Sequence, residues 1–367
     1  MKKNVNKLMA VITTGILAAT MSLTAFAANE IAIPKKVPTD TNNHTMAPET
    51  TFELEVTAGP SDATTVDLLG NDDQTHTYQL TPGTAEQITG MTITGAAFAN
   101  ITEYPADGVY QADFGIKVPD SLYSVPGVYS YTVKEKNGGY SGITYDANTY
   151  YMYVSVVNKE GGGVKVDNVV IAKDDGTKIA DITNDFGAEN NTTHDLTITK
   201  SVTGNAGELN KDFTFKISIR AKADTGASSA QEFQLEDADG GKQNIAADGT
   251  EVAVTLSNSE AVHIYGLTGD YDVYVSENEA GLNGYTTTYT ITGDDAGNTT
   301  AAQALVDADA KATVNALADG ATLTIINDRN NVTPTGVAMD IAPYALMVVL
   351  AGSAAVTFLR KKDQFEE

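Results

Sequence analysis

Three side-chain types recur in the same order in the two halves of this 367-residue chain. A lysine lies near the end of an early apolar run: Lys35 in "IAIPKKV" and Lys200 in "LTITKSV". A glutamate ends a later run, Glu135 in "YSYTVKE" and Glu277 in "YDVYVSE", and an asparagine closes each half, Asn184 in "ITNDF" and Asn327 in "LTIIND". The separation from glutamate to asparagine is 49 residues in one half and 50 in the other. Strand alternation puts each of the six in phase with apolar neighbours: Lys35 with Ile31, Ile33 and Val37, and Lys200 with Leu196, Ile198 and Val202. Lys36 adjoins Lys35, and Pro34 disturbs that strand, so either lysine can serve in the first half. A lone charge at a strand end usually marks where the chain leaves the core. Three types repeated in order need another account, because an unpaired buried charge costs several kcal/mol. Burial lowers the pKa of a lysine and raises that of a glutamic acid, so both can sit neutral. A neutral amine can attack an asparagine carboxamide, while the protonated glutamic acid donates to its carbonyl and passes protons to the departing ammonia. The product is a Lys–Asn side-chain amide.

The elements that must position these residues read as short strands. Runs such as "TFELEVT", "TYYMYVSVV" and "DFTFKISI" alternate apolar and polar residues, and turn clusters such as "NGG", "EGGG" and "DADGG" separate them. The pattern predicts an all-β protein of two tandem Ig-like β-sandwich domains, residues 28–188 and 189–330, divided at the polar stretch 187–195. The Ala-rich segment 299–321 fits either a helix or a loose pair of strands.

Composition narrows the functions. A formal net charge of −25 repels nucleic acid and anionic lipid headgroups. The chain has no cysteine and therefore no disulfide, so a Lys–Asn amide would fill that structural place. It has no tryptophan, which argues against a sugar-stacking platform. The four histidines, His44, His76, His194 and His263, lack metal-ligand spacing and read as surface or loop residues; neither a metal nor a cofactor is expected. No Gly-x-Ser-x-Gly, His-Glu-x-x-His or glycosidase-type carboxylate pair appears, so a hydrolase is not expected either.

The two ends give an address. Lys2, Lys3 and Lys7 precede an apolar stretch and Ala25-Phe26-Ala27, the pattern of a cleaved signal peptide over residues 1–27. Near the other end, within residues 331–367, "VTPTG" leads to an uncharged apolar span at 341–359 closed by Arg360, Lys361 and Lys362. That order resembles the sorting signal of Gram-positive surface proteins, which a sortase cuts between Thr and Gly; here these are Thr335 and Gly336. Val332 and Thr333 depart from the usual Leu-Pro opening.

With "KSVTGNAGELNKDFTF", the "YTVKE" and "YVSE" boxes and the closing "ITN" and "IIN", the sequence resembles the major backbone pilins of Gram-positive bacteria, of the FctA or T-antigen type. The resemblance implies cross-links of Lys35 to Asn184, assisted by Glu135, and of Lys200 to Asn327, assisted by Glu277. It further implies an acceptor lysine shortly before the first closing asparagine, Lys178 or else Lys173. The partners it implies are further copies of the chain, sortase and peptidoglycan, with a host surface ligand as a further candidate. The protein would then be a cell-wall-anchored shaft subunit and no enzyme. A singly displayed adhesin would carry the same anchor and is the rival reading.

Overall fold

A computed structural model of the protein describes residues 28–39, 44–69, 74–188, 192–294, 301–315 and 317–331. The described chain is nearly all β. Its one α-helix, Ala85–Gly90, is six residues long and was not anticipated; Thr84 and Gln87 close its start with a reciprocal capping box.

Every sheet draws its strands from one half of the chain. In the first half, Glu30–Pro38 pairs antiparallel with Val109–Lys117 and parallel with the short closing strand Ile182–Thr183. Opposite lies a six-stranded sheet containing Gly127–Glu135 and Thr149–Asn158. Ile33, Val37, Phe114 and Ile116 from one sheet share a core with Tyr131, Val133, Met152 and Val154 from the other.

The second half repeats the scheme. His194–Thr203 pairs parallel with the last strand, Leu317–Asp328, inside a seven-stranded sheet. A four-stranded sheet containing Phe213–Ala221 and Tyr271–Glu277 contributes Phe213, Phe215, Ile217, Val273 and Val275 to the shared core. Each such side chain contributes about 1.5–3 kcal/mol by leaving water. Gly204, at φ +87, lets the chain turn beside Arg329; a Cβ there would lie 2.2 Å from the Arg329 carbonyl oxygen.

The Ala-rich segment is strand rather than helix: Gln303–Leu305 joins the seven-stranded sheet and Ala312–Val314 the four-stranded one. Ala312 and Val314 are buried, so pairing and packing override the helical preference of alanine. Of the histidines, His76, His194 and His263 lie in strands and His44 in a turn, all of them partly buried.

The two halves touch through Gln231, which is 2% exposed. Its Nε2 donates to the Ala47 carbonyl at 2.9 Å, and its Oε1 accepts from the Glu49 N–H at 2.9 Å and from the Tyr140 hydroxyl. His44 packs beside them between Tyr104 and Tyr265.

Candidate functional site

Lys35 is fully buried on the first strand, its Nζ 4.7 Å from the centre of the Phe52 ring. The Nζ lies 2.7 Å from Glu135 Oε1, though off the line of a well-formed hydrogen bond. Asn184 Nδ2 donates to the same Oε1 at 2.9 Å. Lys36 faces the other way, as alternation requires, and forms a 2.6 Å ion pair with Asp181 from a side chain 39% exposed. Lys35, not Lys36, is therefore the lysine brought to Glu135 and Asn184. Pro34 does not break the strand, which runs on to Pro38; pairing with Ile182–Thr183 begins one residue after it.

The second set has the same layout. Lys200 Nζ donates to Glu277 Oε2 at 2.9 Å, and Asn327 Nδ2 donates to Glu277 Oε1. All three residues are fully buried, and the Phe213 ring centre is 4.3 Å from Nζ. The registers agree as well: Lys35 stands opposite Ile182 and Lys200 opposite Ile325, so each asparagine lies two positions beyond the partner of its lysine. In a parallel pair that diagonal keeps both side chains on one face, and the glutamate reaches them from the opposing sheet.

Burial lowers both lysines to about 8, against the partly compensating pull of Glu135 or Glu277. The lowered lysine values favour the neutral amine beside the carboxamide, the form that can attack it. One expectation needs correction: Glu135 faces the amide nitrogen, the leaving group, and not the carbonyl oxygen. That orientation is fixed because Asn184 Oδ1 accepts from the Asp146 backbone N–H at 2.8 Å. Asn327 Oδ1, by contrast, is buried with no partner among the described residues.

Lys178 and Lys173 lie on the turn after strand Val164–Ala172. Lys173 is exposed, whereas Lys178 bridges to Ala172, is half-buried, and has its pKa lowered by that burial. Thr335, Gly336, the signal segment 1–27 and the span 341–359 lie outside the described residues. Among the described residues no helix is long and apolar enough to cross a membrane. The sequence reading missed Asp146, although "DANTY" carries the Asx-turn signature that would have drawn attention to it.

Residues 31–187 match the family model described as the Spy0128-like isopeptide containing domain. A curated pilin of Streptococcus pyogenes serotype M1 is 29% identical over 254 residues, covering 66% of this chain and 69% of the relative. Over residues 31–187 the chain is similar to the isopeptide-domain pilins. The major pilin T3.2 of Streptococcus pyogenes serotype GAS13637 matches with a TM-score of 0.53 and 26% identity, over 82% of this chain and 100% of that one. Another Streptococcus pyogenes major pilin shares the fold at a TM-score of 0.54 and 19% identity, over 83% of this chain and 100% of that one. Residues 194–329 match a family model described as a domain of unknown function (DUF7601).

Proposed function

We propose that this protein is a pilin, the repeating shaft subunit of a covalent pilus on a Gram-positive cell surface. Its halves, 28–188 and 189–330, are two Ig-like sandwiches, each closed by an amide from first strand to last. The observation that carries this reading is the buried Lys–Glu–Asn set, present twice with one register. In each set the neutral lysine attacks the asparagine Cγ, the glutamic acid protonates Nδ2, ammonia leaves, and the lysine's surplus proton returns to the glutamate. In the mature fibre a pull on the chain ends passes from lysine to asparagine and bypasses the hydrogen bonds between them.

Assembly uses the ends. Export removes residues 1–27, the span 341–359 holds the precursor in the membrane, and a sortase takes Thr335 as acyl donor, releasing Gly336 onward. Lys178 of the next copy is the acceptor. Its lowered pKa favours the nucleophilic amine, and residues 174–176 of the same turn line a cleft of about 350 Å3 that could receive an incoming chain. Peptidoglycan ends the polymer.

Replacing Thr335 by Ala should abolish detergent-resistant ladders and leave membrane-held monomer. Lys178→Ala should give wall-linked monomer without a ladder. Normal Lys178→Ala ladders with none in Lys173→Ala would move the acceptor to Lys173, while wall-attached monomer alone in the native strain would favour the singly displayed adhesin.

A further inference from the structure

The two sets differ at one atom, the oxygen on which charge collects when the amine attacks. Asn184 Oδ1 has a donor, the Asp146 N–H at 2.8 Å, which also reaches Glu135 Oε2 at 3.1 Å. Two contacts aim that N–H. Upstream, Thr144 and Asp185 exchange backbone hydrogen bonds of 2.9 and 3.2 Å, which clamp the segment beside the closing strand. Downstream, the Asp146 carboxylate accepts from the Asn148 N–H at 2.9 Å through Oδ1 and from the Tyr150 hydroxyl through Oδ2. Tyr150 is itself buried.

In the second half the neighbour of the closing strand is the long strand Thr286–Asp294. Over residues 287–289 it is paired on both sides, with the last strand and with Gln303–Leu305, so its N–H groups are committed to the sheet. Asn327 Oδ1 accordingly has no donor among the described residues.

We propose that the Asp146 backbone N–H is the oxyanion donor for closure of the Lys35–Asn184 bond, with Asn148 and Tyr150 as the positioning residues that hold it. The inference rests on the cross-link reading above and adds a division of labour to it. Lys35 Nζ forms its bond to Asn184 Cγ as the carbonyl π pair moves onto Oδ1, where Asp146 N–H stabilises it. Glu135, having taken a proton from the Lys35 ammonium, gives it to Nδ2. The Cγ–Nδ2 bond then breaks to release ammonia, and the proton left on Nζ returns to Glu135.

The test starts from full-length chain recovered unfolded and uncross-linked, with bond formation followed during refolding. Each bond is timed separately by the mass of its cross-linked peptide, so Lys200–Asn327 is an internal control for folding. Asp146→Pro deletes the N–H and should slow Lys35–Asn184 roughly hundredfold, as expected for loss of one oxyanion donor, with Lys200–Asn327 unchanged. Asp146→Asn keeps the N–H and an acceptor for Asn148, and should recover most of the rate. An unaltered first-bond rate in folded Asp146→Pro overturns this proposal and leaves the cross-link reading intact. If Asp146→Pro fails to fold, Tyr150→Phe decides: a several-fold slowing of the first bond only is expected, and no slowing overturns the proposal. Absence of the bond from the unaltered chain would instead overturn the cross-link reading and this inference with it.

Discussion

At the scale of single residues, each glutamate touches both the attacking amine and the leaving nitrogen. Each closure expels one ammonia, so the body from Ala28 to Thr335 should weigh two ammonias less than its sequence. Glu277→Ala should restore one of them, since it removes the carboxyl that touches both Lys200 Nζ and Asn327 Nδ2. An unmodified mass for the unaltered body would end the cross-link reading. The rate should also report how many protons the pair needs. A neutral lysine beside a protonated glutamic acid holds as many protons as the ion pair, so the rate should be flat through neutral pH. Above the lysine value of about 8 the pair loses the proton that the ammonia must take, and the rate should fall roughly tenfold per pH unit. A rate that climbs through pH 8 to a plateau would mean that only the neutral amine is required.

At the scale of elements, the first and last strands of each half run parallel and adjacent, so one amide closes almost the whole half into a loop. On the loop-entropy model used for disulfides, such closure stabilises by about 5 kcal/mol. Asn327→Ala should therefore lower the melting temperature of the second half by roughly 10–20 °C and leave the first half little changed, as calorimetry can resolve. Lys36→Ala should cost no more than about 1 kcal/mol, because the Lys36–Asp181 pair is partly exposed and screened. A large loss from Lys36→Ala with none from Lys35→Ala would reverse the assignment of the first lysine.

At the scale of the whole molecule, a shaft under tension needs its two halves held in line. Gln231 supplies part of that hold, tied to residues as far as 184 positions away. Gln231→Ala would strand the Ala47 carbonyl at a buried contact and leave the Glu49 N–H only its longer bond, 3.3 Å, to the Tyr140 hydroxyl, a cost of roughly 1–3 kcal/mol. Small-angle scattering should then show a broader distribution of interdomain distances, with both cross-links still formed. Unchanged scattering would show that other contacts, such as Gly142 against Thr268, suffice.

Alternation along a strand is set by local backbone geometry, so the all-β character and the inward phase of Lys35, Glu135, Asn184 and their counterparts were legible from spacing alone. Repetition of the three types in order singled them out, because a solvated strand end has no reason to repeat. Other features depended on groups distant in sequence. The choice of Lys35 over Lys36 needed the facing sheet, and the sheet membership of 303–305 and 312–314 needed partners that override alanine's preference. The direction of the Asn184 amide needed Asp146, which is 38 residues away and is aimed by a bridge between Thr144 and Asp185. A backbone N–H has no sequence signature of its own. Only the closure of the fold decides whether it is spent in a ladder, as in Thr286–Asp294, or left to face a reacting oxygen.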